Sequence, residues 1–255
     1  MSYITREIAL ETCRKMREFY LNLQNVYSES GLDIESDRGR RNIMMSGPME
    51  RFLAESIREA GHVAHHNGAT GQPDIVIETD DGYQEIECKL TSPHASSNSV
   101  SFQTDYYTLE KKEELDYVYI VANKTFDGFV FIHFQDLALD DFRRLSNGAR
   151  GKVQMYKYKG MPKARTLVGE VVNRKEKYLE RLAIQRDEIR VNAVDFAEDM
   201  RKQISTIEDL DRKKSLEHLI KNGRVAQTKI NKIQERINIV SERNASYSFD
   251  YEEIK

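Results

Sequence analysis

The chain has 255 residues, of which 39% are hydrophobic and 32% are charged, and its formal net charge is -3. No apolar run approaches the roughly 18 residues that a membrane-spanning helix needs, so we expect no membrane contact. The first 30 residues lack the apolar core of a secretory signal. Two cysteines, Cys13 and Cys88, are too few for a disulfide framework, which favours a reducing, cytoplasmic location.

Two helices are predicted at the beginning of the chain. Apolar residues recur at helical spacing over residues 5–27, and the polar, basic stretch over 35–41 is typical of a loop. A second helix is predicted over about 48–60. Pro48 would lie in its first turn, where a missing N–H costs nothing, and Gly61 would end it.

Strand-like periodicity begins after this helix. A short β-rich run covers 62–66 and a Gly-rich loop covers 68–71. Strands are predicted over 74–79 and 83–90, and Asp80-Asp81-Gly82 between them is a strong hairpin signal.

The elements that follow alternate between helix and strand. In chain order we predict a helix over 104–115, strands over 117–123 and 129–134, a helix over 135–146, and strands over 153–158 and 167–172. This order predicts an α/β domain over residues 1–172, with a mixed central sheet flanked by helices.

Residues 173–245 have a different character, dense in charge, and predict an all-helical hairpin or bundle. A capping-box pattern at 205–208 indicates a new helix, and Asn222-Gly223 resembles a helix C-terminal cap. A heptad-like seam follows, formed by Ala226, Ile230, Ile233, Ile237 and Val240. This region is expected to dimerise or to clamp DNA, and residues 246–255 are expected to be a loose tail.

The predicted hairpin gathers chemically useful side chains. Its pairing would place Asp74 opposite residue 87 or 88. Strand alternation puts Glu85, Glu87 and Lys89 on one face, and the core residues Ile86, Cys88 and Leu90 on the other.

Carboxylates placed this close repel each other unless a cation lies between them. Mg²⁺ is typically held by one or two carboxylates, water and phosphate oxygens, so we predict a magnesium site here. Lys89 is close enough to reach a scissile phosphate, and the upstream helix can project Glu50 as a third carboxylate. Together these groups suit metal-assisted phosphodiester hydrolysis.

The arrangement Pro73-Asp74, twelve intervening residues, and Glu87-Cys88-Lys89 resembles the PD-(D/E)xK nuclease signature. Its spacing is similar to that of archaeal Holliday-junction resolvases, and the chain length is similar to that of type II restriction endonucleases. The resemblance implies a restriction-endonuclease-like fold. It also implies metal ligation by Asp74, Glu87, Glu50 and the backbone carbonyl of Cys88, with Lys89 as the catalytic lysine.

Two alternatives remain open at this point. Glu55 replaces Glu50 as the helix acid if the register between helix and strand differs. The charges of the hairpin could also belong to an exposed edge strand that they keep soluble, which explains Glu85 and Lys89 but not Pro73-Asp74.

A local excess of positive charge predicts where nucleic acid would bind. Between Arg143 and Lys175 there are ten basic residues and a single acidic one, Glu170. Such a stripe binds phosphates, although a merely solvated basic face is the alternative. From the stripe we expect DNA contacts by Arg150, Lys152, Lys157 and Lys159. From the loop over 92–103 we expect contacts by His94, Asn98 and Gln103.

Two smaller groups of residues have weaker assignments. Arg38, Arg40 and Arg41 form a second, smaller basic patch. His62, His65 and His66 lack the spacing of a zinc site, so a structural or phosphate-contacting role is expected for them.

The leading functional hypothesis is a Mg²⁺-dependent endonuclease of double-stranded DNA, a type II restriction enzyme. Cutting both strands calls for two active sites, which predicts a homodimer. A separately encoded DNA methyltransferase is expected as its companion. The alternatives are a structure-specific repair or recombination nuclease and a non-catalytic DNA-binding scaffold with the nuclease fold.

Overall fold

The computed structural model describes residues 3–67, 69, 72–94, 99–144, 151–204, 210–241 and 247–254. Within its long helices, side chains are not described over 194–204, 210–222 and 224–225. The chain divides into two compact units, Met1–Val172 with Ser248–Lys255, and Asn173–Tyr247. No helix in the described part of the chain combines the length and the apolar character that a membrane crossing requires.

Helices and strands alternate along the chain. The helices are α1 (Arg6–Glu29), α2 (Arg38–Glu59), α3 (Tyr106–Lys112), α4 (Lys157–Gly160), α5 (Arg174–Ile204) and α6 (Leu210–Ser241). The strands are β1 (Ala64–His66), β2 (Ile75–Thr79), β3 (Gly82–Thr91), β4 (Gln103–Asp105), β5 (Glu114–Ala122), β6 (Gly128–Ala138), β7 (Lys152–Gln154), β8 (Ala164–Val168), β9 (Glu170–Asn173), β10 (Tyr247–Asp250) and β11 (Glu252–Glu253).

The first unit is built on a seven-stranded sheet. Its order is β1-β2-β3-β5-β6, and β6 also pairs with β8 and β11. Among the described strands of this sheet, β3 and β5 are parallel and the other pairs are antiparallel. Buried residues of α1 and α2 share one core with the sheet, including Met16, Leu53, Ile77 and Val118. The predicted α/β class with a mixed central sheet is confirmed.

Helix α2 is longer than its sequence predicts. It begins after Asp37, whose side chain accepts a hydrogen bond from the Arg40 backbone N–H at 3.1 Å. The predicted loop over 35–41 therefore ends at Asp37, and the predicted helix start at Pro48 was wrong. An internal proline removes one helical hydrogen bond at a cost of about 3 kcal/mol. Buried Met45 and Met49 on either side of Pro48 anchor the helix in the core and offset this cost.

Three later predictions also need correction. The predicted helix over 104–115 starts as strand β4 and becomes α3 only at Tyr106. Over 135–146, β6 continues to Ala138 because that residue pairs with Glu114 of β5, and a 3-10 turn follows at Leu139–Asp141. The alternating run over 153–158 contains only the short strand β7, followed by α4.

Residues 167–172 belong to two strands rather than one, because Gly169 separates β8 from β9. This glycine has φ +67°, and a Cβ there would lie 2.7 Å from the carbonyl oxygen of Asp250 and 2.8 Å from that of Phe129. Both the backbone conformation and the close approach therefore require glycine.

The predicted loose tail over 246–255 was wrong as well. Strand β10 pairs with β9, and β11 pairs with β6. The Glu252 carboxylate accepts hydrogen bonds from Arg6 at 2.7 Å and from the Gly169 backbone N–H at 3.0 Å. The strands of this segment are short, four residues in β10 and two in β11, and of its described residues only Phe249 and Ile254 are buried, so the local pattern for strands is weak.

The second unit contains the helices α5 and α6, which run antiparallel. Lys175 donates to the Ser241 carbonyl at 2.7 Å, and Arg186 donates to Gln234 at 3.1 Å. In the predicted seam Ile233 is buried, and its neighbours along the seam are half-buried.

Gly223 does not end a helix, because α6 runs through it. An internal glycine costs about 1 kcal/mol relative to alanine, which is less than breaking the paired helices would cost. The predicted capping box at 205–208 lies outside the described residues.

Candidate active site

The β2–β3 hairpin sets the position of the first candidate acid. Ile75 pairs with Ile86, and Asp80-Asp81 form the two-residue turn. Asp74 therefore comes opposite Glu87, one residue beyond the ladder. Its Oδ2 accepts a hydrogen bond from the backbone N–H of Cys88 at 2.7 Å.

The two faces of β3 differ: one packs in the core and the other carries the candidate catalytic side chains. Ile86 and Cys88 are buried in the core. On the other face, the Nζ of Lys89 donates a hydrogen bond to Oε1 of Glu87. Glu85 lies farther from the site and pairs with Lys112 at 2.7 Å.

Burial makes this cluster electrostatically costly. Glu87 is only 7% exposed. Burial raises the pKa of both Glu87 and Asp74 above their ordinary values, although the positive charge of Lys89 opposes this. The negative charge of Glu50 adds to the rise for Asp74, and the charges of Asp74 and Asp105 add to it for Glu87. Burial alone would lower the pKa of Lys89, but the Glu87 and Asp74 carboxylates outweigh it and the net pKa is raised. Lys89 is therefore a charged lysine that is hydrogen-bonded to Glu87 and lies in the field of a second carboxylate, Asp74.

Glu50, and not Glu55, lies beside this pair. The Glu50 carboxylate lies 3.2 Å from Nε2 of His66, and its charge contributes to raising the pKa of Asp74. Glu55 pairs with Arg51 at 2.8 Å and lies 3.9 Å from Lys15. Glu50 thus lies close enough to Asp74 to affect its pKa, and it lines the same cavity as Lys89.

A cavity of about 390 Å³ opens next to these residues. It is lined by Gly39, Asn42, Ile43, Ser46 and Glu50 of α2, Cys88, Lys89 and Leu90 of β3, Gln103, Thr104 and Asp105 of β4, and Lys152 of β7. Its volume falls within the range of small-molecule pockets. It therefore has room for part of a substrate next to the candidate catalytic residues.

Asp105 is a member of this site that the sequence analysis missed. Its Oδ1 accepts a hydrogen bond from the Tyr107 backbone N–H at 3.0 Å, so its sequence context resembles an ordinary helix cap. Its charge nevertheless raises the pKa of Glu87. In the β4–β7 pair it lies opposite Lys152.

Of the residues that were expected to contact DNA, some line the cavity and others do not. Gln103 and Lys152 are exposed and line the cavity. His94 is exposed, with Nε2 3.2 Å from Ser101. Asn98 and Arg150 lie outside the described residues.

Two of the lysines that were expected to contact DNA have partners within the chain. Lys157 is half-buried, with its Nζ 5.9 Å from the ring centroid of Phe102, and burial lowers its pKa. Lys159 is exposed and donates to the Asp140 carbonyl at 2.7 Å.

Arg41 does not belong to a surface patch, as its sequence neighbours suggested. Its side chain is fully buried and donates to the carbonyls of Lys124 at 2.5 Å and Asn123 at 3.1 Å and to the Ser92 hydroxyl at 3.0 Å. It also lies 4.9 Å from the ring centroid of Phe126. Arg41 therefore connects α2 to the segment that follows β5, through Asn123 and Lys124, and to Ser92 just after β3.

The donor set suits a hard divalent cation. Asp74, Glu87 and Glu50 provide carboxylate oxygens, which Mg²⁺ prefers. Among the described residues, however, no three His, Cys, Asp or Glu side chains are gathered closely enough to hold an ion as they stand. Glu87 is turned to Lys89 and Glu50 to His66, so an ion would have to compete with these partners.

The arrangement as a whole can bind a cation and an anion side by side. Glu50 and Asp105 provide carboxylates on the lining of the cavity, and Lys89 and Lys152 provide positive charge there. Comparisons of the chain with protein-family models, with curated proteins and with solved structures gave no match.

Proposed function

We propose that this protein is a Mg²⁺-dependent endonuclease that hydrolyses phosphodiester bonds of double-stranded DNA. The observation that carries the proposal is the juxtaposition of Asp74, Glu87 and Lys89 at the open end of one hairpin, with Glu50 beside them. An exposed edge strand that uses its charges for solubility would have no reason to bury Glu87 next to a second acid.

The acidic residues would hold the ion. Asp74, Glu87 and Glu50, with the backbone carbonyl of Cys88, are the candidate ligands, and the bound ion would polarise the phosphate and make a water molecule more acidic. Lys89 would neutralise the negative charge that develops on the phosphate oxygens. The Cys88 N–H keeps the Asp74 carboxylate in place for this task.

Within this activity we favour a type II restriction enzyme that acts as a homodimer. A two-fold dimer provides one active site for each DNA strand. Ile184 and Val191 support self-association, because they are 59% and 58% exposed and lie two turns apart on α5. A separately encoded DNA methyltransferase is the companion that such an enzyme requires.

The test is cleavage of two substrates under two conditions. The protein is incubated with a plasmid and with a four-way junction, each in Mg²⁺ and in EDTA. Discrete plasmid fragments that appear only with Mg²⁺ would support restriction, and junction nicking would instead support a structure-specific nuclease. DNA binding without cleavage of either substrate would indicate a scaffold and would overturn the proposal. Asp74→Asn is the negative control for a contaminating nuclease.

A further inference from the structure

Ile43 has a surface exposure that the fold does not explain. At 76% exposed, it is the most exposed large hydrophobic side chain among the described residues. It lies on α2 at the cavity that Glu50 and Lys89 also line. Removing apolar surface from water is favourable, so the binding of a partner that covers this isoleucine would be stabilised.

The helix around Ile43 leaves space for a flat partner. The positions four residues before and after it on the same face are Gly39 and Gly47, and three residues after it is Ser46. A Cβ added at Gly47 would meet nothing within 4 Å. The isoleucine therefore projects beyond these three small neighbours.

The charges around Ile43 indicate an anionic partner. The side chain of Arg40, one turn earlier on α2, is 85% exposed. Lys152 and Lys89 line the same cavity as Ile43. Glu50 and Asp105 also line this cavity, and Lys89 is paired with Glu87. Arg40 lies 3.3 Å from Asp37, so the exposed cations beside Ile43 are Arg40 and Lys152. An apolar projection flanked by these two side chains matches a partner that combines phosphates with apolar ring faces, as nucleic acid does, and aliphatic wedges between bases are a known mode of DNA contact.

We propose that Ile43 is a base-contacting residue that packs against the bases of DNA bound at the cavity, while Arg40 and Lys152 contact its phosphates. This inference rests on the proposed function, because it takes DNA as the occupant. It predicts one apolar contact, by Ile43, and two ionic contacts, by Arg40 and Lys152. The contribution of the ionic contacts to affinity should fall as the salt concentration rises, and that of the apolar contact should not.

The experiment measures duplex binding as a function of salt concentration. A fluorescently labelled duplex of mixed sequence is titrated in EDTA, so that nothing is cleaved, with the full chain and with single variants. Ile43→Ala should weaken binding about fivefold without changing the slope of log K against log salt, because no counterion is released at this contact. Lys152→Ala should weaken binding and make the slope shallower by about one.

The controls separate the possible failures. Val26→Ala removes an aliphatic side chain that is 58% exposed on α1 and should change neither affinity nor slope. Ile43→Leu should retain wild-type affinity. Unchanged binding by Ile43→Ala, or a change of slope equal to that of Lys152→Ala, would overturn the inference and leave the nuclease proposal standing. A wild-type chain that binds no duplex would overturn both.

Discussion

The backbone N–H of Cys88 donates a 2.7 Å hydrogen bond to the side-chain carboxylate of Asp74. The strand that carries Glu87 and Lys89 thus holds the acid of the neighbouring strand through its own main chain. Because a backbone group makes this contact, the hydrogen bond to Asp74 does not use the Cys88 side chain, which packs in the core.

Lys89→Ala should lower the rate of DNA cleavage by about 100-fold or more, because the negative charge that develops on the phosphate oxygens in the transition state would lose the ammonium group that stabilises it. DNA affinity should stay within a few-fold of wild type. Lys112→Ala is the matched control, because it removes the partner of Glu85 on the same face of β3 but outside the site. Plasmid cleavage rates and duplex titrations provide both measurements. Equal losses of affinity and rate would mean that Lys89 mainly anchors phosphate.

Glu50→Gln and Glu55→Gln distinguish the two candidate helix acids. Glu50→Gln should weaken the Mg²⁺ dependence of cleavage, so that more Mg²⁺ is needed for half-maximal rate. Glu55→Gln should leave it unchanged and cost under about 1 kcal/mol of stability, because its pairs with Arg51 and Lys15 lie near the surface. A stronger effect of Glu55→Gln would reverse the assignment.

The hairpin could be predicted because the residues that determine it are adjacent in the sequence. Asp80-Asp81-Gly82 determines the turn, and strand alternation from there determines the faces of Glu87 and Lys89. The start of α2 could not be predicted in this way, because proline is common in the first turn of a helix. No local pattern shows that Met45 and Met49 are buried and stabilise a helix that continues past Pro48.

The part of the cavity lining that β4 and β7 provide could not be predicted from local sequence patterns either. It depends on the pairing of Gln103–Asp105 with Lys152–Gln154, segments separated by about 50 residues. Asp105 therefore looked like a helix cap, and Arg41 looked like part of a surface patch although it is buried against carbonyl groups.

Gly169→Ala should destabilise the protein by about 3 kcal/mol. The positive φ alone costs about 1–2 kcal/mol in a residue with a Cβ, and the carbonyl oxygens of Asp250 and Phe129 would have to shift as well. Gly31→Ala is the control, because Gly31 has φ +71° with nothing within 4 Å. Urea unfolding measures both. Equal losses would show that the close approach is unimportant.

Asp116→Asn should destabilise the protein by about 2 kcal/mol at pH 7. Burial raises the pKa of Asp116, but hydrogen bonds from His133, from the Asp136 N–H and from Gln84 outweigh it, and the net pKa is lowered. A lowered pKa means that this stabilisation is present above about pH 4 and is lost as the pH falls through the folded-state value.

The difference between wild type and Asp116→Asn should therefore shrink on acidification. Unfolding curves at pH 7 and at pH values below the ordinary pKa of aspartate measure this difference. A gap that stays constant at every pH would show that the carboxylate charge contributes nothing.

The pairing of β11 with β6 has a consequence during protein synthesis. The α/β unit is interrupted by the 75 residues of Asn173–Tyr247, which a ribosome needs about 4–15 s to add. Throughout this interval the backbone of β6 at Gly128 and Phe129 has no neighbour on that side, since Glu252 and Glu253 do not yet exist. We therefore expect this stretch of β6 to be open to wrong strand pairing until Glu252 and Glu253 are added.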